Sequence, residues 1–170
     1  MNIFKNKGKN KYGFTIIELI VVIAIIAVLA AIVITNVNDI SRKDRNVKRL
    51  ADIKAYAIAF AMAFEKNGEY PKPVIPSCLG NYKNDTCWGG RVSEFESFNT
   101  ILAEFIPSLP ASEDPVMANG LNYNGYVCQY ISRLKALTLT WLMEGESQSC
   151  GTGKVSSPNY YGATVCIYSF

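Results

Sequence analysis

The chain has 170 residues, enough for about one domain, with 17 basic and 14 acidic side chains. Four lysines lie within residues 1–13, which contain no acid, so the rest of the chain has 13 basic and 14 acidic groups. This near balance argues against a basic nucleic-acid-binding surface. Histidine is absent, which removes histidine-based catalytic triads and histidine metal ligands.

Residues 14–34 form an apolar run in which Glu18 is the only charged residue. As a helix this run would be about 31 Å long, which is close to the thickness of a bilayer's hydrocarbon core. It is too long for the apolar part of a secretory signal peptide, and no small-residue cleavage site follows it. We therefore expect a membrane-spanning helix. Its acid needs a separate explanation, because a carboxylate in hydrocarbon is unfavourable.

The stretch GFTIIEL, which begins at Gly13 and follows a basic leader, resembles the processing motif of type IV prepilins and pseudopilins. The resemblance implies that a membrane peptidase removes residues 1–13 and that Phe14 is then N-methylated. It also implies that Glu18 neutralises the Phe14 amine of a neighbouring subunit and so sets the filament register. The alternative is that the Glu18 carboxylate only reaches out to the membrane interface.

Two positions depart from the pattern of this family. Many relatives have a glycine in the middle of the span and a proline just after it, where this chain has Ala27 and Thr35. Charge fixes the orientation poorly, because five basic residues at positions 42–49 balance the leader lysines. The resemblance and the cysteines place residues 35–170 outside the cytoplasm, as an extracytoplasmic globular domain.

Apolar residues recur at helical spacing beyond the span, so we expect the helix to continue to about residue 67. Gly68 is its expected end, with Pro71 beyond it. The domain half should be amphipathic and should pack its apolar stripe against the rest of the domain. The residues assigned to that stripe are Val33, Val37, Ile40, Val47, Leu50, Ala57, Phe60, Ala61 and Phe64.

The remaining elements are a short second helix and a sheet. A capping-box sequence at 93–96 predicts that helix, and Pro107 ends it. Strands are predicted at 126–131, 136–142 and 162–168, with a turn at Asn124 and Gly125. The fold class is therefore α+β, with a long N-terminal helix packed on a small antiparallel sheet. The resemblance implies the same pilin architecture.

Five cysteines lie at positions 78, 87, 128, 150 and 166, with no C-x-x-C pair. This spacing favours one or two disulfides in a non-cytoplasmic domain over a metal ribbon. Proximity in sequence favours a Cys78–Cys87 bond. A Cys150–Cys166 bond is the second expectation; it would leave Cys128 buried in a strand, and a Cys128–Cys166 link would reject it.

Three other motifs have a structural and a functional interpretation. The sequon at 84–86 is expected to be accidental. Glu113 and Asp114 are expected to form a turn rather than a calcium site, because the next acidic residue downstream is Glu144. Three tyrosines could pack on the sheet or form a binding surface: Tyr160, Tyr161 and Tyr168.

We expect a structural subunit of a filament, either a pilus for adhesion, motility or DNA uptake or a type II secretion pseudopilus. The chain would cross the cytoplasmic membrane once before it enters a cell-surface or periplasm-spanning filament. The alternatives are a monomeric membrane-anchored binding module and an anchored enzyme. No nucleophile–base pair, phosphate loop or metal-ligand cluster supports an enzyme, and no cofactor or metal is expected.

The partners expected of such a subunit are copies of itself and other pilins. The resemblance adds the prepilin peptidase and N-methylase and the assembly platform in the membrane. Membrane lipid surrounds the span before assembly. Nucleic acid is not expected to bind to this subunit alone.

Overall fold

The computed structural model contains two helices and ten short strands among the residues that it describes. Those residues are 13–73, 75–82, 87–88, 93–94, 96–112, 116–123 and 125–170, with only the backbone described at 33–36, 81–82, 93–94, 96–98 and 111–112. They divide into two compact units at the boundary between Ser41 and Arg42. Helix α1 covers Ile16–Asn67, and helix α2 covers Glu96–Ala103.

Helix α1 is 52 residues long and ends where the sequence predicts. Gly68 follows its last residue with a φ of 76°, and its N–H donates to the carbonyl of Phe64 at 2.7 Å. Glycine adopts this left-handed conformation without the steric cost that a side chain would add, so it suits the end of a helix. The prediction of one long helix is confirmed.

The strands form one larger sheet and two small ones. In chain order they are β1 Ser77–Leu79, β2 Asn81–Tyr82, β3 Ser93–Glu94, β4 Ala111–Ser112, β5 Val116–Ala118, β6 Leu121–Tyr123, β7 Tyr126–Ile131, β8 Ala136–Glu144, β9 Lys154–Tyr160 and β10 Ala163–Ser169. The six-stranded sheet has the order β3-β1-β7-β8-β10-β9, and only its β1–β3 pair is parallel. Strands β2 and β4 pair separately, as do β5 and β6.

The core lies between the sheet and the part of α1 that belongs to the second unit. Buried residues of α1 share one cluster with buried residues of β8; they include Ile53, Tyr56, Ala59 and Phe60 on the helix and Leu137, Leu139, Trp141 and Met143 on the strand. A smaller cluster joins the β5–β6 hairpin to Leu142 and Ala163. Strand β8 is therefore covered on both faces, so its alternating sequence does not correspond to one buried and one exposed face.

The sheet-facing side of α1 differs in part from the predicted stripe. Phe60 is buried and Leu50 packs against the core, as predicted. The prediction is wrong for five residues that are exposed: Val37, Ile40, Val47, Ala61 and Phe64. The prediction accepted any sequence of three- and four-residue steps, and such steps need not stay on one side of the helix. At about 100° per residue, Val47 lies nearly opposite Arg49, which is 5% exposed and belongs to the packed side.

A polar clamp fixes α1 to the end of β8. The Glu144 carboxylate accepts hydrogen bonds from Arg45 Nε at 2.7 Å and from Arg45 Nη2 at 2.6 Å, and it lies 2.8 Å from Arg49 Nη2. The Asn46 side chain bonds to both the N–H and the C=O of Glu144, at 2.9 and 3.0 Å. Burial alone would raise the pKa of Glu144, but the hydrogen bonds from Arg45 and Arg49 outweigh it and hold that pKa below its ordinary value.

The strand predictions succeed for three of the four longest strands. Strand β7 has the predicted bounds, β8 runs two residues further than predicted, and β10 is shifted by one residue. The sequence does not predict β1 to β6, which are only two or three residues long. It does not predict β9 either, because that strand is polar, contains Pro158 and is mostly exposed. Helix α2 was predicted, and its start lies within the predicted capping sequence.

Candidate functional site

The first turn of α1 contains a capping box formed by Thr15 and Glu18. The Thr15 N–H and hydroxyl donate to Glu18 Oε2 at 2.8 and 2.7 Å. In return, the Glu18 N–H donates to Thr15 Oγ1 at 3.3 Å. This reciprocal pattern satisfies backbone groups that a helix start otherwise leaves unpaired. The sequence T-x-x-E before an apolar run is its known signature, so it could have been predicted from residues 15–18.

The Gly13–Phe14 junction lies outside the helix. Helix α1 starts at Ile16, and Phe14 is 81% exposed. A side chain added at Gly13 would meet nothing within 4 Å. Among the described residues nothing covers this junction, and residues 1–12 of the expected leader lie outside them.

The N-terminal part of α1 has the length and composition of a membrane span. Its most apolar 18-residue window has a mean hydropathy of 3.3 and is entirely unburied. Among the residues that the structure describes, α1 is the one helix that meets these criteria. Every described side chain from Ile16 to Ile32 is exposed, so the described part of the chain leaves this apolar surface open.

Helix α1 also has an apolar face in the second unit, which we call the outer stripe. Its members are Val47, Ala51, Ile58 and Met62, and all four are exposed. Steps of four, seven and four residues place them on one side of the helix, opposite the buried side that contains Arg49 and Phe60. In this half α1 thus has two apolar sides, of which the sheet covers one.

The structure brings together the cysteines of both expected pairs. It joins Cys78 to Cys87 and Cys150 to Cys166, with Cα–Cα distances of 6.2 and 5.6 Å. Both distances lie within the range of natural disulfides. Cys128 is buried and outside both pairs.

A Cys128–Cys166 bond does not fit the sheet. Cys128 lies on β7 and Cys166 on β10, and β8 lies between these strands. With neighbouring strands about 4.8 Å apart, two strands on opposite sides of a third are separated by roughly 9.5 Å. This exceeds the reach of about 7 Å between Cα atoms that a disulfide allows.

The three tyrosines near the C-terminus have different surroundings. The Tyr160 hydroxyl lies 3.1 Å from the Tyr123 hydroxyl, and the rings meet edge to face at 5.9 Å. The Tyr168 ring contacts Phe170 at 4.9 Å. Packing therefore accounts for Tyr160 and Tyr168, whereas Tyr161 is 63% exposed.

Two sequence predictions cannot be compared with the structure. The sequon at 84–86 and the acids Glu113 and Asp114 lie outside the described residues. Among the residues that are described, no group of three or more Cys, Asp or Glu side chains is arranged to hold a metal ion.

These features define a class of protein. A membrane-length apolar helix that continues into an α+β unit and packs there on an antiparallel sheet is a pilin-like architecture. Residues 8–34 match the family model of the prokaryotic N-terminal methylation motif, so the chain carries the prepilin signature of type IV pilins and pseudopilins. The family that this motif marks is structural rather than enzymatic. The motif and the apolar helix together indicate membrane anchoring. No curated protein and no solved structure matches the chain significantly.

Proposed function

We propose that the chain is the precursor of a structural subunit of a type IV pilus or pseudopilus. A prepilin peptidase cuts it after Gly13, Phe14 becomes the methylated N-terminus, and the mature subunit polymerises through α1. The observation that carries this proposal is the Gly13–Phe14 junction followed by Glu18 in an otherwise uncharged span. A monomeric membrane anchor or an anchored enzyme needs neither feature.

The two apolar parts of α1 support polymerisation through this helix. The span is exposed along its whole described length, and the outer stripe is exposed in the second unit. A lone subunit in a membrane would cover the first with lipid but would leave the second in water. Packing against helices of other subunits would cover both, which is the outcome that apolar burial favours.

The edge of the sheet at β9 argues against assembly by strand addition. Strand β9 is an edge strand with Lys154 at its start and Pro158 within it, and its pairing with β10 shifts register twice. Charges, prolines and bulges of this kind prevent edge-to-edge pairing. Because this edge disfavours an added strand, the helix remains the better candidate for the contact between subunits.

In the proposed cycle the precursor spans the cytoplasmic membrane once, with residues 35–170 outside. The peptidase and N-methylase act on residues 13–14, and the assembly platform then moves the subunit from lipid into the filament. The filament is a surface pilus that serves adhesion, motility or DNA uptake, or a pseudopilus of a type II secretion machine. Electron micrographs of native cells with and without this chain distinguish these outcomes, because loss of a major pilin removes surface filaments.

Intact-mass analysis of the membrane-extracted protein tests the processing step. The expected chain begins at Phe14 with one methyl group on its amine. A Gly13→Leu variant should keep residues 1–13, because the larger side chain should block the peptidase. The fold should be unaffected, since a Cβ added at Gly13 meets no described atom within 4 Å. A wild-type chain that retains the leader in cells with an active peptidase would contradict the proposal.

A further inference from the structure

The outer stripe of α1 contains charged residues between its apolar ones. At about 100° per residue, its four apolar members spread over roughly 60° of the helix surface. Of the charged residues at 42–67, three lie within about 40° of the middle of that arc: Asp44, Lys54 and Glu65. All three are exposed, and none forms an ion pair within the described part of the chain. Their charges are therefore available to a group outside the subunit.

These three charges alternate in sign along the helix. Lys54 follows Asp44 by ten residues, and Glu65 follows Lys54 by eleven. At 1.5 Å per residue the two intervals are about 15 and 16.5 Å, so each is close to three helical turns. Charges on a helix pair with each other when they are three or four residues apart, so these residues cannot pair within one chain.

The alternation disfavours a contact between two parallel copies in register. Such a contact would place each of the three charges beside its own duplicate, and like charges that face each other are repulsive. A parallel pair in register is also a closed twofold dimer, which has no free surface of the same kind for a third copy. The charge pattern therefore acts against a dimer of this type.

A stagger of about three turns brings opposite charges together instead. Asp44 of one copy then lies level with Lys54 of the next, and Lys54 of the first lies level with Glu65 of the second. Each copy uses the part of the stripe at 44–54 towards one neighbour and the part at 54–65 towards the other. This contact is heterologous, so it can repeat and build an open filament.

The same stagger also matches the apolar members of the stripe. Val47 and Ala51 come eleven residues before Ile58 and Met62, respectively. A shift of eleven residues therefore places Val47 level with Ile58 and the small Ala51 level with the long Met62. Val47, Ile58 and Met62 are 64%, 54% and 49% exposed, and the contact would remove this apolar surface from water.

We propose that the outer stripe binds the outer stripe of a second copy of this chain, parallel to it and offset by about 16 Å along the helix, and that Asp44, Lys54 and Glu65 set this offset. The inference rests on the proposed function, in which all subunits point the same way along the filament. A subunit in a helical filament has several neighbours at different offsets. This contact and the one between Phe14 and Glu18 therefore join different pairs of subunits.

Charge reversal in cells tests the role of the three residues, with filament yield compared at equal amounts of subunit in the membrane. Lys54→Glu makes all three charges negative and should lower the yield about tenfold or more, because both attractions become repulsions. The triple variant Asp44→Lys, Lys54→Glu, Glu65→Lys inverts the alternation and should restore the wild-type yield. Arg133→Glu is the matched control, since it reverses an exposed cation between β7 and β8 and should have no effect.

Cysteine crosslinking of sheared filaments tests the offset. Val47→Cys and Ile58→Cys keep the three charges, and the free thiol of Cys128 is buried and does not compete. With a short bifunctional thiol reagent the double variant should give a ladder of multimers, because residue 47 of each copy lies beside residue 58 of the next. Each single variant should give only monomers.

The outcomes separate this inference from the proposed function. Dimers from either single variant, or dimers without a ladder from the double variant, would indicate a closed pair and overturn the stagger. Wild-type yield from Lys54→Glu, or no recovery in the triple variant, would overturn the role of the charges. All of these results leave the proposed function standing. A wild-type chain that forms no filaments in cells with an active assembly platform would instead overturn the proposed function itself.

Discussion

Arg49 lies 2.8 Å from the Glu144 carboxylate, and only 6% of the Arg49 side chain is exposed. The pair joins a helix turn to the last residue of β8 across 95 positions of sequence. Arg45 and Asn46 complete the contact from the same side of α1. Because the buried arginine depends on this carboxylate, the clamp determines how firmly α1 is held on the sheet.

Removing the carboxylate should destabilise the second unit. Glu144→Ala removes the carboxylate from the buried Arg49 guanidinium, which keeps its hydrogen bond to Asn46 Oδ1 at 3.0 Å. The loss should cost about 3 kcal/mol, the low end for a broken buried pair. Lys66→Ala is the matched control, since its pair with Glu104 leaves both side chains more than half exposed. It should cost less than about 1 kcal/mol. Denaturant unfolding followed by tryptophan fluorescence measures both, and equal losses would contradict the role given to the clamp.

The clamp should also weaken in acid. The folded-state pKa of Glu144 lies below its ordinary value of 4.5, so the folded state binds this proton less readily than the unfolded state. Its contribution to stability is complete above about pH 5 and is lost as the pH falls through the folded pKa. The difference in unfolding free energy between wild type and Glu144→Gln should therefore shrink below about pH 4.5.

The comparison with Glu144→Gln is needed because a second acid changes the pH dependence of the unfolding free energy in the opposite direction. Burial raises the pKa of Asp52, although the Tyr126 hydroxyl donates to it at 2.6 Å. The wild-type slope alone would mix the two groups, whereas the difference between the proteins isolates Glu144. A difference that stays constant between about pH 6 and 3 would contradict the assignment.

The cysteines should give two bonds and one unreactive thiol. We expect non-reducing peptide maps to show Cys78–Cys87 and Cys150–Cys166, each closing a short loop that adds roughly 2–3 kcal/mol in the chain-entropy model. Burial raises the pKa of the Cys128 thiol, so alkylation should reach it only after unfolding. Cys128→Ser should leave both links in the map. A map that places Cys128 in a disulfide would reject this pairing.

The two roles open to Glu18 predict opposite behaviour in two variants. Glu18→Gln removes the charge but keeps an oxygen that can accept from Thr15, whereas Thr15→Ala removes the partner in the capping box. If Glu18 pairs with the Phe14 amine of a neighbour, Glu18→Gln and Glu18→Ala should insert normally and assemble poorly, while Thr15→Ala assembles. Filament yield and membrane fractionation measure this. The reverse pattern would show that only the helix cap matters.

The elements that could be predicted are those whose own residues form a local pattern, such as an apolar run or a helix-ending glycine. The apolar span, the glycine after Asn67 and the apolar strand β7 each carry a local pattern, and each appears where that pattern places it. Strand β9 carries no such pattern, because its place depends on pairing with β10 rather than on burial of its own side chains.

Contacts between distant parts of the chain could not be predicted in the same way. In the sequence Arg45 and Arg49 are only two of the charges that follow the span, since nothing near them indicates that Glu144 meets them. The predicted stripe combines Val47 of the outer stripe with Leu50 and Phe60 of the packed side, because apolar residues occur on opposite sides of α1. Deciding which side the sheet covers requires knowing where Glu144 binds the helix. The capping box is different: Thr15 and Glu18 are three residues apart and could have been recognised.

The last prediction concerns the span itself in the assembled filament. The resemblance to type IV prepilins implies that many members of that family have a glycine and a proline at the positions of Ala27 and Thr35. The glycine and the proline would weaken the helix there, so that a stretch can unwind during assembly. Proline removes a backbone hydrogen bond and clashes with the preceding turn, at a cost of about 3 kcal/mol or more, and glycine costs up to about 1 kcal/mol. Alanine is the best helix former, and threonine keeps its N–H. Here α1 is continuous from Ile16 to Asn67.

We therefore expect residues 24–38 to stay helical in the filament, which should be a stiff fibre or a short pseudopilus. The competing view is that the polar run from Thr35 to Asn38 melts on assembly, because asparagine and threonine are only modest helix formers. A filament map that resolves the backbone distinguishes the two. The double variant Ala27→Gly, Thr35→Pro is the matched comparison and should show an extended stretch in this region. If residues 27–37 are already extended in the wild-type filament, the inference from the missing proline is wrong, although a pilin-like subunit would still explain the motif at residues 8–34.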